Sequence, residues 1–177
     1  MLNQLLPALR MTALMTVLTG LVYPAAITGL CRVLFKSKAN GDLTQIGQNF
    51  SRPEFFHPRP SFGKYDAMSS GGFNDGPTSQ KLIDRVKLAV ADFAKKNPDF
   101  HGPIPADAVT ASASGLDPEI SPANAEAQSI RVAKARGVPQ SQISSLIAAH
   151  TKPRDLGFMG EPRVNVLELN LALSQNK

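Results

Sequence analysis

Three runs in this chain have residue types and spacings that could do chemistry. Ser61-Phe-Gly-Lys64 matches S-x-x-K, in which a lysine amine takes the proton of an attacking serine. The companion S-D-N and K-T-G elements are absent, and the run lies in a Gly- and Pro-rich stretch rather than at a helix start. Ser70-Gly-Gly-Phe-Asn74 is a second run, of small residues whose amides could cradle an anion. Ser70, Gly71, Gly72 and Asn74 are therefore the candidate binding residues. The competing reading is a tight turn whose glycines take positive φ. The third run, Val109 to Pro122, alternates small and hydroxyl side chains. Ser112 and Ser114 lack the G-x-S-x-G frame of a nucleophile, so close backbone approach explains the small residues better. His57, His101 and His150 fall in neither HExxH nor a Cys/His pattern, and a metal would need ligands from distant segments. No catalytic residue and no metal site are expected. No GxxxxGK[ST] loop is present, so no cofactor is expected to bind independently.

The elements that must position these runs follow from periodicity. Residues 39–77 are punctuated by Asn40-Gly41, Arg52-Pro53, His57-Pro58-Arg59-Pro60, Gly71-Gly72 and Gly76-Pro77, which excludes a long helix there. Phe50, Phe55, Phe56 and Phe62 should nevertheless pack that segment onto the domain, with short strands near Thr44–Phe50. Residues 79–96 read as an amphipathic helix, with Leu82, Ile83, Val86, Val90 and Phe93 at helical spacing. A second helix should start at the cap Ser121, with Pro122 first, and stop at Gly137. Its polar face should carry Arg131, Lys134 and Arg136. A third should follow Pro139 to about His150, with Ile143, Leu146 and Ile147 inward. A last helix is expected from about Val166, capped by Asn165 with Glu168 three residues on.

Between Arg10 and Arg32 the chain runs for 21 residues without a charge. As an α-helix this is long enough for a hydrocarbon core of roughly 30 Å. The run is longer than an ordinary signal-peptide core and no convincing small-x-small cleavage site follows it, Pro24-Ala25-Ala26 being a weak candidate, so an uncleaved anchor is expected. Thr12, Thr16, Gly20, Pro24 and Thr28 form an i, i+4 ridge of small or special residues suited to helix docking. Pro24 should kink the helix or mark its exit from the bilayer. The division expected is 1–38, tail, span and basic flank, and 39–177, a soluble accessory domain. The fold class expected is α+β: one N-terminal transmembrane helix, then a mainly helical domain with a few short strands.

Charge narrows the partners. The chain carries 19 Lys and Arg against 14 Asp and Glu, but four of the basic residues and no acidic one fall in the first 41 residues. The excess therefore sits beside the membrane, where it meets lipid headgroups, and no nucleic-acid partner is expected. The single cysteine, Cys31, excludes an internal disulfide. The basic residues flanking the span, taken alone, put the C-terminal domain in the cytoplasm.

Together these segments resemble the C subunit of the bacterial potassium-transporting P-type ATPase, the Kdp complex. The resemblance runs nearly end to end. It includes Pro7-Ala-Leu-Arg10, Tyr23-Pro24, Ala39-Asn-Gly41, Ile46-Gly-Gln48 with Phe50, Phe56-His57, Arg59-Pro-Ser61 and Ser70-Gly-Gly72 with Asn74. It continues through Val109 to Pro122, Arg131-Val-Ala-Lys-Ala-Arg136, Gly160-Glu-Pro162 and Val164 to Asn170. Phe73 and Lys36 depart from it, standing where a serine and a proline are expected. The resemblance implies a noncatalytic accessory subunit in the plasma membrane of a bacterium. Its partners would be a channel-like potassium-conducting subunit and a P-type ATPase subunit. It would act as a catalytic chaperone raising the ATPase subunit's affinity for ATP, with ATP met only together with that subunit. It also implies an external C-terminal domain, against the charge flanks. Readings from other classes are a membrane-anchored serine–lysine hydrolase using Ser61 and Lys64, and a generic extracytoplasmic interaction module.

Overall fold

The computed structural model describes residues 2–36 and 43–175. The chain divides into two compact units, Met1–Leu43 and Thr44–Lys177. The boundary expected at 38/39 and the Asn40-Gly41 turn lie outside the described residues.

In the first unit, helix α1 (Leu2–Val17) passes through a π-helical turn (Leu18–Val22) into α2 (Tyr23–Leu34). Over Gln4–Leu34 it is long and apolar enough to cross a membrane. Pro24 explains the π-turn. Lacking an N–H, it cannot pair with the carbonyl of Gly20, and its ring crowds that carbonyl. The wider turn absorbs the conflict, with the Tyr23 N–H donating to Leu18 O, five residues back. The disturbance expected at Pro24 thus takes the form of a π-helical turn before it. A π-turn also shifts the helical phase, so the ridge from Thr12 to Thr28 does not run as one straight line.

The second unit holds α3 (Gln80–Lys96), the short α4 (Ala106–Val109), α5 (Pro122–Arg136), α6 (Gln140–Ala149), α7 (Val166–Gln175) and a small antiparallel sheet, against which α5 and α7 pack. Its strands are β1 (Glu119–Ile120), β2 (Thr151–Lys152) and β3 (Arg163–Asn165), in the order β1-β3-β2. Ile120 and Thr151 both pair with Val164. This is the α+β class expected.

The capping signals are realised. Ser121 Oγ accepts the Asn124 N–H at 3.0 Å, Pro122 opens α5, and Gly137 closes it at φ 69°. Asn165 Oδ1 accepts the Glu168 N–H at 3.0 Å at the start of α7. The core gathers Phe56, Ile120, Val132, Ile143, Ile147, Val164, Val166, Leu169 and Leu173, with Phe50 and Leu146 against it.

Two expectations need correction. The segment from Thr44 to Phe50 holds no strand; Leu43–Gln45 is a 3₁₀ turn. It is tied by single hydrogen bonds, Asn165 Nδ2 to Thr44 O at 2.6 Å and the Gly47 N–H to Leu116 O at 2.8 Å, not by a ladder. Arg131 does not lie on an exposed polar face. It is buried, because its guanidinium is the hydrogen-bond donor for loops that have no regular structure of their own.

Candidate functional site

The candidate residues meet where three loops interlock. The carbonyl of Ser114 accepts both the Gly71 N–H at 2.9 Å and the Ser70 hydroxyl at 3.0 Å. A Cβ on Gly72 would stand 3.0 Å from the carbonyl of Ala113. Gly115 has φ +68°, and a Cβ there would stand 2.9 Å from the carbonyl of Gly71. Gly72 and Gly115 are thus what lets the two backbones approach, whereas a Cβ on Gly71 would meet only the Phe62 ring at 3.6 Å. Asn74 takes a positive φ of 53° at the end of its run. Just before it, Phe73 packs edge-on against Phe62 at 5.3 Å and lies 4.0 Å beneath the Arg85 guanidinium, which pairs with Asp75 at 2.7 Å.

Ser61 belongs to the same interlock. Its hydroxyl donates to Gly115 O at 2.7 Å and accepts the Tyr65 N–H at 3.0 Å. A serine activated by lysine must give its proton to the amine. Here that proton points to a carbonyl, and no hydrogen bond joins Ser61 to Lys64. Ser112 Oγ accepts the Gly115 N–H at 2.9 Å, so this hydroxyl too shapes its own loop. Asp117 closes the assembly, pairing with Arg59 at 2.8 Å and accepting the Glu119 N–H at 3.0 Å.

A second arrangement escaped the reading of motifs. Asp107 accepts from Ser121 N, Ser121 Oγ and Asn124 Nδ2 at 2.7, 2.9 and 3.0 Å. Gln128 Nε2 donates to Asn124 Oδ1 at 2.9 Å and to His57 O at 3.1 Å, while Gln128 Oε1 accepts the His57 N–H at 2.8 Å. Arg131 then donates to Gln128 Oε1 at 2.7 Å, to Asn97 Oδ1 at 2.9 Å and to the carbonyls of Pro53 and Phe55. Farther on, Asn170 brackets the backbone of Phe56, accepting its N–H at 2.8 Å and donating to its carbonyl at 3.0 Å. The 52–57 loop, which has no ladder, is held by side chains that satisfy its backbone. The spacing of Asn124, Gln128 and Arg131, at i, i+4 and i+7, is the signal that could have revealed one polar, buried face.

The electrostatics follow burial. His57 is held down at about 4, first by burial and next by the charge of Arg131, with a hydrogen bond to the Arg52 carbonyl opposing. At neutral pH the ring is uncharged, and its Nε2–H donates to Arg52 O at 3.1 Å. Burial lowers Arg131 to about 10, so it stays charged at neutral pH. Burial chiefly, then Asp117, pushes the Tyr65 phenol upward. At the far edge, Arg163 is pushed upward by its hydrogen bond to Asp155, then by the charge of Glu119.

A membrane-length helix attached to a small α+β domain, with its motif residues spent on joining loops, defines the class of single-pass, membrane-anchored domains. Comparison with known proteins identifies the lineage. The family model described as KdpC, the K+-transporting ATPase c chain, matches residues 5–175. The Potassium-transporting ATPase KdpC subunit of Koribacter versatilis is 52% identical over 184 residues, covering 97% of this chain and 94% of that protein. The subunits of the same name from Gemmatimonas aurantiaca and Rhodospirillum rubrum are 50% and 48% identical, covering 98% and 99% of this chain and 93% and 97% of theirs. The chain belongs to the KdpC family.

Proposed function

We propose that this chain is a noncatalytic accessory subunit of an ATP-driven potassium uptake complex. Its membrane helix docks it among the spans of its partners, and its domain rests on the external face against the channel-like potassium-conducting subunit. Through that contact it favours the complex conformation with higher ATP affinity in the P-type subunit, as a catalytic chaperone. ATP is met only in the company of that subunit. The effect on nucleotide affinity is a coupling free energy between sites and needs no direct contact. Family membership supports the accessory role. The structural observation that carries the assembly reading is α3. Of its five-residue apolar stripe only Phe93 is buried, while Ile83 and Val90 stay 41% and 38% exposed. An amphipathic helix whose own chain leaves the apolar face open is suited to a partner surface.

Affinity purification from membranes tests this. The tagged chain should bring down both partners, and Ile83→Ser with Val90→Ser should release the potassium-conducting subunit. The ATPase activity of complex lacking the chain should show a raised KM for ATP. Recovery of the chain without partners, or an unchanged KM, would reject the reading. Topology is read by labelling Ser141→Cys in a Cys31→Ser background: an impermeant reagent should label it in intact cells.

A further inference from the structure

The cleft between α3 and the loop from His57 to Tyr65 has no part in the assembly reading. It encloses about 290 Å³ and brings Arg59, Lys64 and Lys96 to one opening, with Asp92 as its sole acidic residue. Two of these four charges neutralise each other, because Lys96 pairs with Asp92 at 2.7 Å. Arg59 places Nη1 on Asp117 at 2.8 Å, but its Nε is buried and has no hydrogen-bond partner among the described residues. An oxyanion would supply the acceptor Nε lacks, in the two-point fashion that a guanidinium favours, once the side chain turned that edge into the cleft. Lys64 has no ion-pair partner among the described residues.

The backbone supports the same spot. Lys64 and Tyr65 stand consecutively in the left-handed region, at φ 54° and 66°, though neither is glycine. That conformation is unfavourable for a residue with a side chain, and such strain persists only where the surroundings hold it. Here Tyr65 holds it, its N–H on Ser61 Oγ at 3.0 Å and its hydroxyl on Arg59 O at 2.6 Å. The strained pair thereby fixes the backbone from which Lys64 joins Arg59 in lining the cleft. Phe50, Pro58, Pro60 and Phe93 supply apolar walls, which strengthen any charge contact made between them.

We infer that this cleft binds a small dissolved oxyanion, a carboxylate or a phosphate, held by Arg59 and Lys64. Intrinsic fluorescence reports on it directly. The chain has two tyrosines and no tryptophan, so Tyr23→Phe leaves Tyr65, in the cleft wall, as the reporter. The full-length protein in detergent is titrated with inorganic phosphate and with acetate, at ionic strength held constant with chloride. Saturable change with phosphate or acetate, and none with chloride, is expected. Lys64→Gln, an exposed substitution that leaves the fold intact, should raise Kd about tenfold. Arg59→Lys, which keeps the charge but loses Nε, should raise it at least as much. Absence of saturation by both anions, an unchanged Kd in Lys64→Gln, or a response only to anionic lipid mixed into the micelles would overturn the assignment.

Discussion

Helices α3 and α5 are of similar length, 17 and 15 residues, yet each uses its faces against expectation. Helix α3 has the clearer apolar stripe, and its own domain buries only Phe93 from it. Helix α5 has no such stripe, and it buries Asn124, Gln128, Ser129 and Arg131 alongside Ala125, Ala127, Ala133 and Val132. The difference lies in what each helix packs against. Helix α5 faces loops whose backbone groups need hydrogen-bond partners, and polar side chains supply them. Helix α3 covers little of the core, so the Ile83 and Val90 part of its apolar face is left for another surface. Amphipathicity therefore reports that a helix has an apolar face to cover, not that the same chain covers it.

The comparison breaks first at Arg131. Arg131→Ala should strand the carbonyls of Pro53 and Phe55 and the side chains of Asn97 and Gln128 without their donor. A loss of about 3–5 kcal/mol is expected in denaturant unfolding. If that loss were below about 1 kcal/mol, the polar face of α5 would not be what holds the 52–57 loop.

The pH dependence tests the same network. With His57 at about 4 in the folded protein, against 6.5 when unfolded, the unfolded chain binds more protons between those values. Its contribution is therefore fully present above about pH 6.5 and is lost as the pH falls toward 4. The full loss is about 3 kcal/mol, and His57→Asn should flatten that part of a stability–pH curve.

Next in size is the loop interlock. Gly115→Ala imposes both a left-handed φ and a clash with Gly71 O, and should cost about 2 kcal/mol. Gly76→Ala, with nothing within 4 Å, is the matched control and should change thermal stability little.

The smallest effect on stability belongs to α3. Ile83→Ser with Val90→Ser should cost about 1 kcal/mol or less in the isolated protein. The same pair should lose the partner in membranes, which is the contrast between the two helices in a single measurement.

Much of the fold was legible where a local signal matches a local cause. Ser121, Pro122 and Gly137 delimit α5 because caps depend on neighbours in sequence, and Asn165 with Glu168 starts α7 for the same reason. The strands were not legible. With two or three residues each, their pairing is decided by Val164 meeting both Ile120 and Thr151 across the fold. In the candidate site, close backbone approach in the run from Val109 to Pro122 was legible, but not that the Gly71-Gly72 backbone is what it approaches; neither of those glycines takes the positive φ of a tight turn. The buried role of Arg131 was hidden because a basic residue beside Lys134 and Arg136 reads as solvated until the loops it serves are in place.

The π-turn at Leu18–Val22 acts as a phase setter for the membrane helix. Each α-helical residue turns the chain by about 100°, so one residue removed there would rotate everything beyond it by that amount. Length and apolar content would hardly change, and the helix would still span. The side chains from Tyr23 to Leu34 would face new neighbours, and an anchor that only tethers would tolerate this where a fitted one would not.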